Sequence, residues 1–234
     1  MSLEAYAGTL TRYYTDDWER AAEPWARGEG VVVERIAPDT AAPPAAAADV
    51  STAVRAWREA LTIGLGDRLA EPIEWSEDHD LPYFTDQLDW PGYRSLVLWA
   101  SYAHRPDLSR PTEIPEGWEQ DPAFLASLPK ESATPYRQVL QPSLWLPARF
   151  DFAFKASDVT GTETWIGSTD ALHRQLGLLC DRTFRVPASE LTASQANEPA
   201  GTDELERAAR RASAALYALS RSACEHRLPL LLVY

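Results

Sequence analysis

The apolar positions of this chain recur with two periods, and the period changes along its length. In residues 5–14, AYAGTLTRYY, Tyr6, Gly8, Leu10, Arg12 and Tyr14 alternate with Ala7, Thr9, Thr11 and Tyr13, and the Thr and Tyr content favours a strand. Thr15 or Asp16 then caps an expected helix to about Arg27, closed by Gly28 and Gly30, and residues 31–36, VVVERI, form a second strand. Behind Asp49 or Ser51, the residues Val54, Trp57, Leu61 and Leu65 return every three to four positions, the mark of an amphipathic helix. Residues 91–104 make another, capped by Asp89 or Trp90, with Pro91 in its first turn and Leu96, Val97, Trp99 and Ala100 inward. A short helix is expected at 122–128.

From about residue 138 the period shortens. Phe150, Phe152 and Phe154 alternate with Asp151, Ala153 and Lys155 as a half-buried strand, and after a turn at 158–162 residues 163–166 come back as its hairpin partner. Ser168 caps a helix to about Asp181 with Leu172, Leu176 and Leu179 on one side. Thr202 caps the longest helix, about 203–227. Its stripe of Leu205, Ala209, Ala212, Leu216, Leu219 and Ala223 calls for a flat surface such as a sheet. The last residues, LPLLLVY, are apolar on both faces, so 229–234 should be an interior strand. The whole predicts an α+β chain: a single domain over 1–234 with a mixed β-sheet of about six strands and helices packed against it. A Pro/Ala-rich surface loop at 37–48 and an acidic loop at 67–90 interrupt the pattern.

Charge sharpens this picture. The net charge is −13, carried unevenly: residues 67–121 hold thirteen acids and four bases, whereas 122–234 hold twelve of each. Nucleic acid is not an expected partner, because binding phosphate needs clustered Lys and Arg. A basic protein is. No apolar run is long enough for a membrane span, the N-terminal MSLEA lacks the features of a signal peptide, and two cysteines do not make a disulfide framework. A cytoplasmic chain with free thiols at Cys180 and Cys224 is the expectation.

Catalytic motifs are sparse. There is no phosphate-binding glycine loop, no Gly-x-Ser-x-Gly, no His-Glu-x-x-His and no Cys-x-x-Cys. His79 lies among Glu74, Glu77, Asp78 and Asp80, a ligand chemistry suited to a divalent cation but without a spaced second imidazole or thiolate. No metal and no cofactor are therefore expected. Cys224 and His226, two apart on a helix, point to different sides and make a poor nucleophile–base pair.

The tryptophans are the other anomaly. Of nine, Trp57, Trp99, Trp145 and Trp165 fall in patterned elements and read as core. Trp18, Trp75, Trp90 and Trp118 each have an acid next to them, and three of the four lie in the acidic stretch. Aromatics beside carboxylates suit a basic partner, the rings as anchors and the acids as steering charge. The candidate binding residues are Trp75, Glu77, Asp78, Asp80, Trp90 and Trp118. The sequence thus favours a non-catalytic acidic protein that binds a basic protein partner, a bacterial toxin-neutralising immunity protein being the concrete form. A carboxylate- or metal-dependent hydrolase and a housekeeping domain are the alternatives.

Overall fold

The structure, a computed structural model, describes residues 3–17, 46–191 and 201–233. The strand expected at 31–36, the helix expected to reach Arg27, the loop 37–45, Trp18 and Trp25 lie outside these residues.

Among the described residues six strands form one mixed sheet: β1 (Leu3–Ala7), β2 (Phe84–Leu88), β3 (Leu144–Leu146), β4 (Phe154–Ser157), β5 (Glu163–Ser168) and β6 (Leu230–Val233), in the order β2-β1-β6-β3-β5-β4. Every neighbouring pair is antiparallel except β3 and β5. β6 lies inside the sheet between β1 and β3, as its two apolar faces require. The helices are α1 (Leu10–Tyr14), α2 (Ala47–Leu65), α3 (Trp90–His104), α4 (Pro122–Ser127), α5 (Arg137–Leu140), α6 (Thr169–Leu179), α7 (Ala188–Leu191) and α8 (Glu204–His226). Asp89, Ser168 and Asp203 cap α3, α6 and α8 through their side chains. The expected cap Thr202 is thus displaced by one residue.

Alternation along the strands sends side chains to two cores. Leu3, Ala5 and Ala7 of β1, Trp145 of β3, and Leu230 and Leu232 of β6 meet the apolar stripes of α3, α6 and α8. Tyr6, Leu144, Leu146, Ile166 and Leu231 point the other way, to Val50, Val54, Leu61 and Leu65 of α2 and to Ile73 and Trp75 of the following loop. Each buried Leu contributes ~1.5–3 kcal/mol. None of the helices among the described residues is long and apolar enough to cross a membrane.

Three expectations fail locally. The strand at 5–14 ends at Ala7: a Cβ at Gly8 would run into the Tyr6 ring, and Thr9 then caps α1 by accepting from the Arg12 amide at 3.4 Å. A strand, β2, lies inside the expected acidic loop 67–90. Its three middle residues, Thr85, Asp86 and Gln87, are polar and exposed on both faces, so it lacks the apolar alternation of a half-buried strand. Finally, Phe150 and Phe152 precede β4 instead of lying within it. The three Phe rings still pack together, with centroids 5.0–5.9 Å apart, so the aromatic cluster forms without strand geometry for its first two members.

Candidate functional site

The acidic loop is fastened to the sheet by charged side chains. Trp75 is only 7% exposed. Its ring lies under Arg58, 5.1 Å from the guanidinium, and edge-on to Trp57. Its indole N–H donates to Glu77 Oε1. The Glu77 carboxylate also accepts from the amides of Leu10 at 3.2 Å and Thr11 at 2.7 Å, two of the free donors at the start of α1. Arg12, buried on α1, returns the tie: it donates to the carbonyls of His79 and, at 2.9 Å, Leu81, with its guanidinium 5.0 Å from the Tyr83 ring centroid. Between these anchors, Asp78, His79 and Asp80 form an exposed turn in which the Asp80 amide donates to Asp78 Oδ1 at 3.0 Å. Among the described residues no three His, Cys, Asp or Glu side chains converge as a metal site requires.

The loop then enters β2, which among the described residues has a single strand neighbour, β1. Asp86 stands mid-strand, and desolvation raises its carboxyl above the usual aspartate value. A groove of about 300 Å³ separates β2 from α8, with Asp86, Asp89 and Arg211 among its walls. Trp90 opens α3 and Trp118 opens a short 3-10 turn, both half-buried against the core beneath α3 and α8. The Arg94 guanidinium lies 5.4 Å from the Trp90 ring and 6.0 Å from the Trp118 ring, and Trp118 packs on Phe124 at 5.1 Å. Arg94 Nε and Trp118 Nε1 are buried without an acceptor among the described residues. The structure therefore brings Trp90 and Trp118 together and leaves Trp75 on the opposite side of the sheet. Trp75 and Glu77 act within the fold. Asp78 and Asp80 face solvent.

The thirteen acids of 67–121 divide accordingly. Glu77 serves α1, Asp89 caps α3, Asp121 caps α4 and accepts from the buried Tyr102 hydroxyl at 2.8 Å, and Asp107 pairs with Arg105 at 2.7 Å. The other nine are exposed and make no ion pair among the described residues. The four bases of the segment are engaged elsewhere: Arg94 by the two tryptophans, Arg105 by Asp107, Arg110 in a two-pronged pair with Asp203 at 3.0 and 2.7 Å, and Arg68 over the Phe152 ring at 3.9 Å.

Groups with nucleophilic chemistry lie apart from this segment. Burial pushes the Cys180 thiol up to about 12 and the Cys224 thiol up to about 11, so both are protonated at neutral pH. A His–Ser contact that the sequence did not suggest joins α6 to α8: His173 Nδ1 lies 3.0 Å from Ser220 Oγ, and the imidazole stacks on Tyr217 at 4.3 Å. Burial holds its pKa down. Ser220 is fully buried and its hydroxyl donates to the Tyr217 carbonyl at 2.9 Å, which makes it a helix-packing contact and not an accessible nucleophile. No protein-family model matches the chain, and no characterised protein or solved structure shows significant similarity to it.

Proposed function

We propose that the chain is a non-catalytic binding protein that receives a basic protein partner along the β2 edge and the 78–80 turn. Toxin neutralisation is one biological form of that activity. The observation that carries the reading is the imbalance within 67–121: nine exposed carboxylates make no ion pair among the described residues, while of the four bases Arg105 and Arg110 pair with Asp107 and Asp203 and Arg68 and Arg94 lie over aromatic rings. Such a surface sets up a negative field that speeds encounter with a basic protein and weakens with salt. Trp118, partly buried against the core, is a candidate aromatic anchor for such a partner.

The test is affinity capture followed by binding kinetics at two salt concentrations, with Asp78→Asn, Asp80→Asn and Asp86→Asn combined. The triple variant should slow association and flatten its salt dependence while leaving dissociation nearly unchanged. An acidic partner, or association indifferent to both salt and the triple variant, overturns the reading.

A further inference from the structure

The opposite edge of the sheet is built from different chemistry. Beside β4 a cavity of about 660 Å³ opens between that strand, the 133–141 segment and the 3-10 turn Gly66–Arg68. Its polar walls are Arg68, Thr134, Arg137, Gln141, Asp151 and Lys155, and its rings are Phe152, Phe154 and Trp165. The volume falls within the roughly 300–1,000 Å³ of small-molecule sites.

One wall of the cavity is tied to the sheet by a buried amide. Gln138 on α5 is fully buried. Its Nε2 donates to the Phe152 carbonyl at 3.0 Å, its Oε1 accepts from the Ser168 amide at 3.0 Å, and its own carbonyl accepts from the Trp145 indole at 3.0 Å. These bonds fix the 151–153 wall to the end of β5. Lys155 and Trp165 are cross-strand partners, so their side chains share one sheet face, with Nζ 5.7 Å from the ring.

The charges of the walls do not cancel. Lys155 is neutralised by Glu163 at 2.8 Å, and Asp151 is held by Arg174 at 2.8 Å. Arg137 is different: half-buried, it spends its donors on the Leu128 carbonyl at 2.6 Å, the Pro129 carbonyl at 2.8 Å, and Gln141 Oε1 and Ser132 Oγ at 3.2 Å. All four acceptors are neutral and Glu131 acts on the guanidinium only from beyond ion-pair distance, so the group is fixed in place without an ion-pair partner among the described residues. Arg68 is stacked on Phe152 and likewise has no carboxylate within ion-pair distance among the described residues. In a chain with thirteen more acids than bases, two guanidiniums without an ion-pair partner at one aromatic-lined cavity form a site that an anion would complete.

We propose that this cavity binds a small organic anion carrying a planar ring. The anion meets Arg137 and Arg68, and the ring lies against Phe152 or Trp165. Aromatic carboxylates and nucleoside monophosphates share this chemistry. The site is at the far edge of the sheet from β2 and does not depend on the binding surface proposed there.

The experiment is saturation-transfer NMR and calorimetry on the full chain with four probes: indole-3-acetate and AMP as ring anions, indole and adenosine as their uncharged counterparts. At least one anion should bind while its uncharged counterpart does not, and which anion binds distinguishes carboxylate from phosphate. Arg68→Gln should weaken that binding about tenfold, the loss of one charge-assisted contact, and Arg137→Gln, whose Nη hydrogens are already engaged in the fold, should weaken it by less, through the lost charge alone. Arg68 is exposed, so its variant decides the matter if Arg137→Gln does not fold. Binding of neither anion at millimolar concentration, equal binding of charged and uncharged probes, or an affinity unchanged in Arg68→Gln overturns the proposal.

Discussion

The two edges of the sheet use charge in opposite ways. At the β2 edge, charged side chains do structural work from beneath: Glu77 and Arg12 bind backbone groups across 66 to 69 residues of chain, and the surplus carboxylates are left facing solvent. At the β4 edge the structural work falls to a neutral side chain, Gln138, and the charges without an ion-pair partner among the described residues are the guanidiniums of Arg68 and Arg137. A net charge of −13 is therefore an average over a negative edge and a locally positive cavity. A charged residue's neighbours in sequence do not show which role it has. Glu77 and Asp78 are adjacent, yet one is bonded to α1 and the other is hydrated.

The comparison breaks first at Trp75. If the β2 edge is anchored from beneath, Trp75→Ala removes a buried aromatic ring and leaves Glu77 short of one donor. The expected loss is ~3–5 kcal/mol, read as a shift of the denaturant midpoint. An unchanged midpoint would place Trp75 on the surface, where its acid-flanked sequence had suggested it to be.

The β4 edge is tested by Gln138→Leu, a smaller change with a local signature. It leaves the Phe152 carbonyl and the Ser168 amide without partners, at about 1–3 kcal/mol for each buried group left unsatisfied. Part of this is offset by apolar packing, so the net effect should fall below that of Trp75→Ala. Hydrogen exchange should quicken at β4 and β5 and stay unchanged at β1 and β2. Uniform quickening across the sheet would mean that Gln138 supports the whole core and not this edge.

These two sites mark where the sequence was legible and where it was not. The helices α3, α6 and α8 follow from periodicity and caps and the inner strand β6 from its two apolar faces, whereas α2 follows from periodicity alone: it begins at Ala47, ahead of the expected Asp49 or Ser51, and Ala46 before it makes no side-chain cap. Trp75 and Gln138 have no such local signal. The neighbour of Trp75 that mattered was Glu77, two residues on, not the adjacent Glu74, and its second function, binding the α1 amides, depends on a contact 66 residues away. β2 was hidden because three of its five residues are polar and exposed. The cavity was invisible for a different reason: Arg68, Arg137 and Lys155 are far apart in sequence and lie on a 3-10 turn, a helix and a strand that meet only in the folded chain. Of the six residues singled out as binding candidates, Asp78 and Asp80 keep a solvent-facing position, Trp90 and Trp118 are half-buried, and Trp75 and Glu77 belong to the fold.

The smallest expected effect belongs to Asp86, and it bears on why the β2 edge is acidic. Desolvation raises its carboxyl above the ordinary value of 3.8, so the charged form is disfavoured in the folded chain relative to the unfolded one. The sign follows by linkage: the folded state holds the proton more tightly, so stability is gained as pH falls through the raised folded value and the cost is fully present at neutral pH. Asp86→Asn, which resembles the protonated form, should therefore be equal to or slightly more stable than the parent at pH 7. The difference should vanish below the usual aspartate range. Thermal melts of both proteins across that interval read the effect directly. A variant less stable at pH 7 would show that the carboxylate is held by a favourable contact and that its charge supports the fold. A variant more stable at pH 7 but slower to associate with a basic partner would identify Asp86 as a charge kept at some cost to stability, which is what a steering surface along β2 requires and what a merely solubilising one does not.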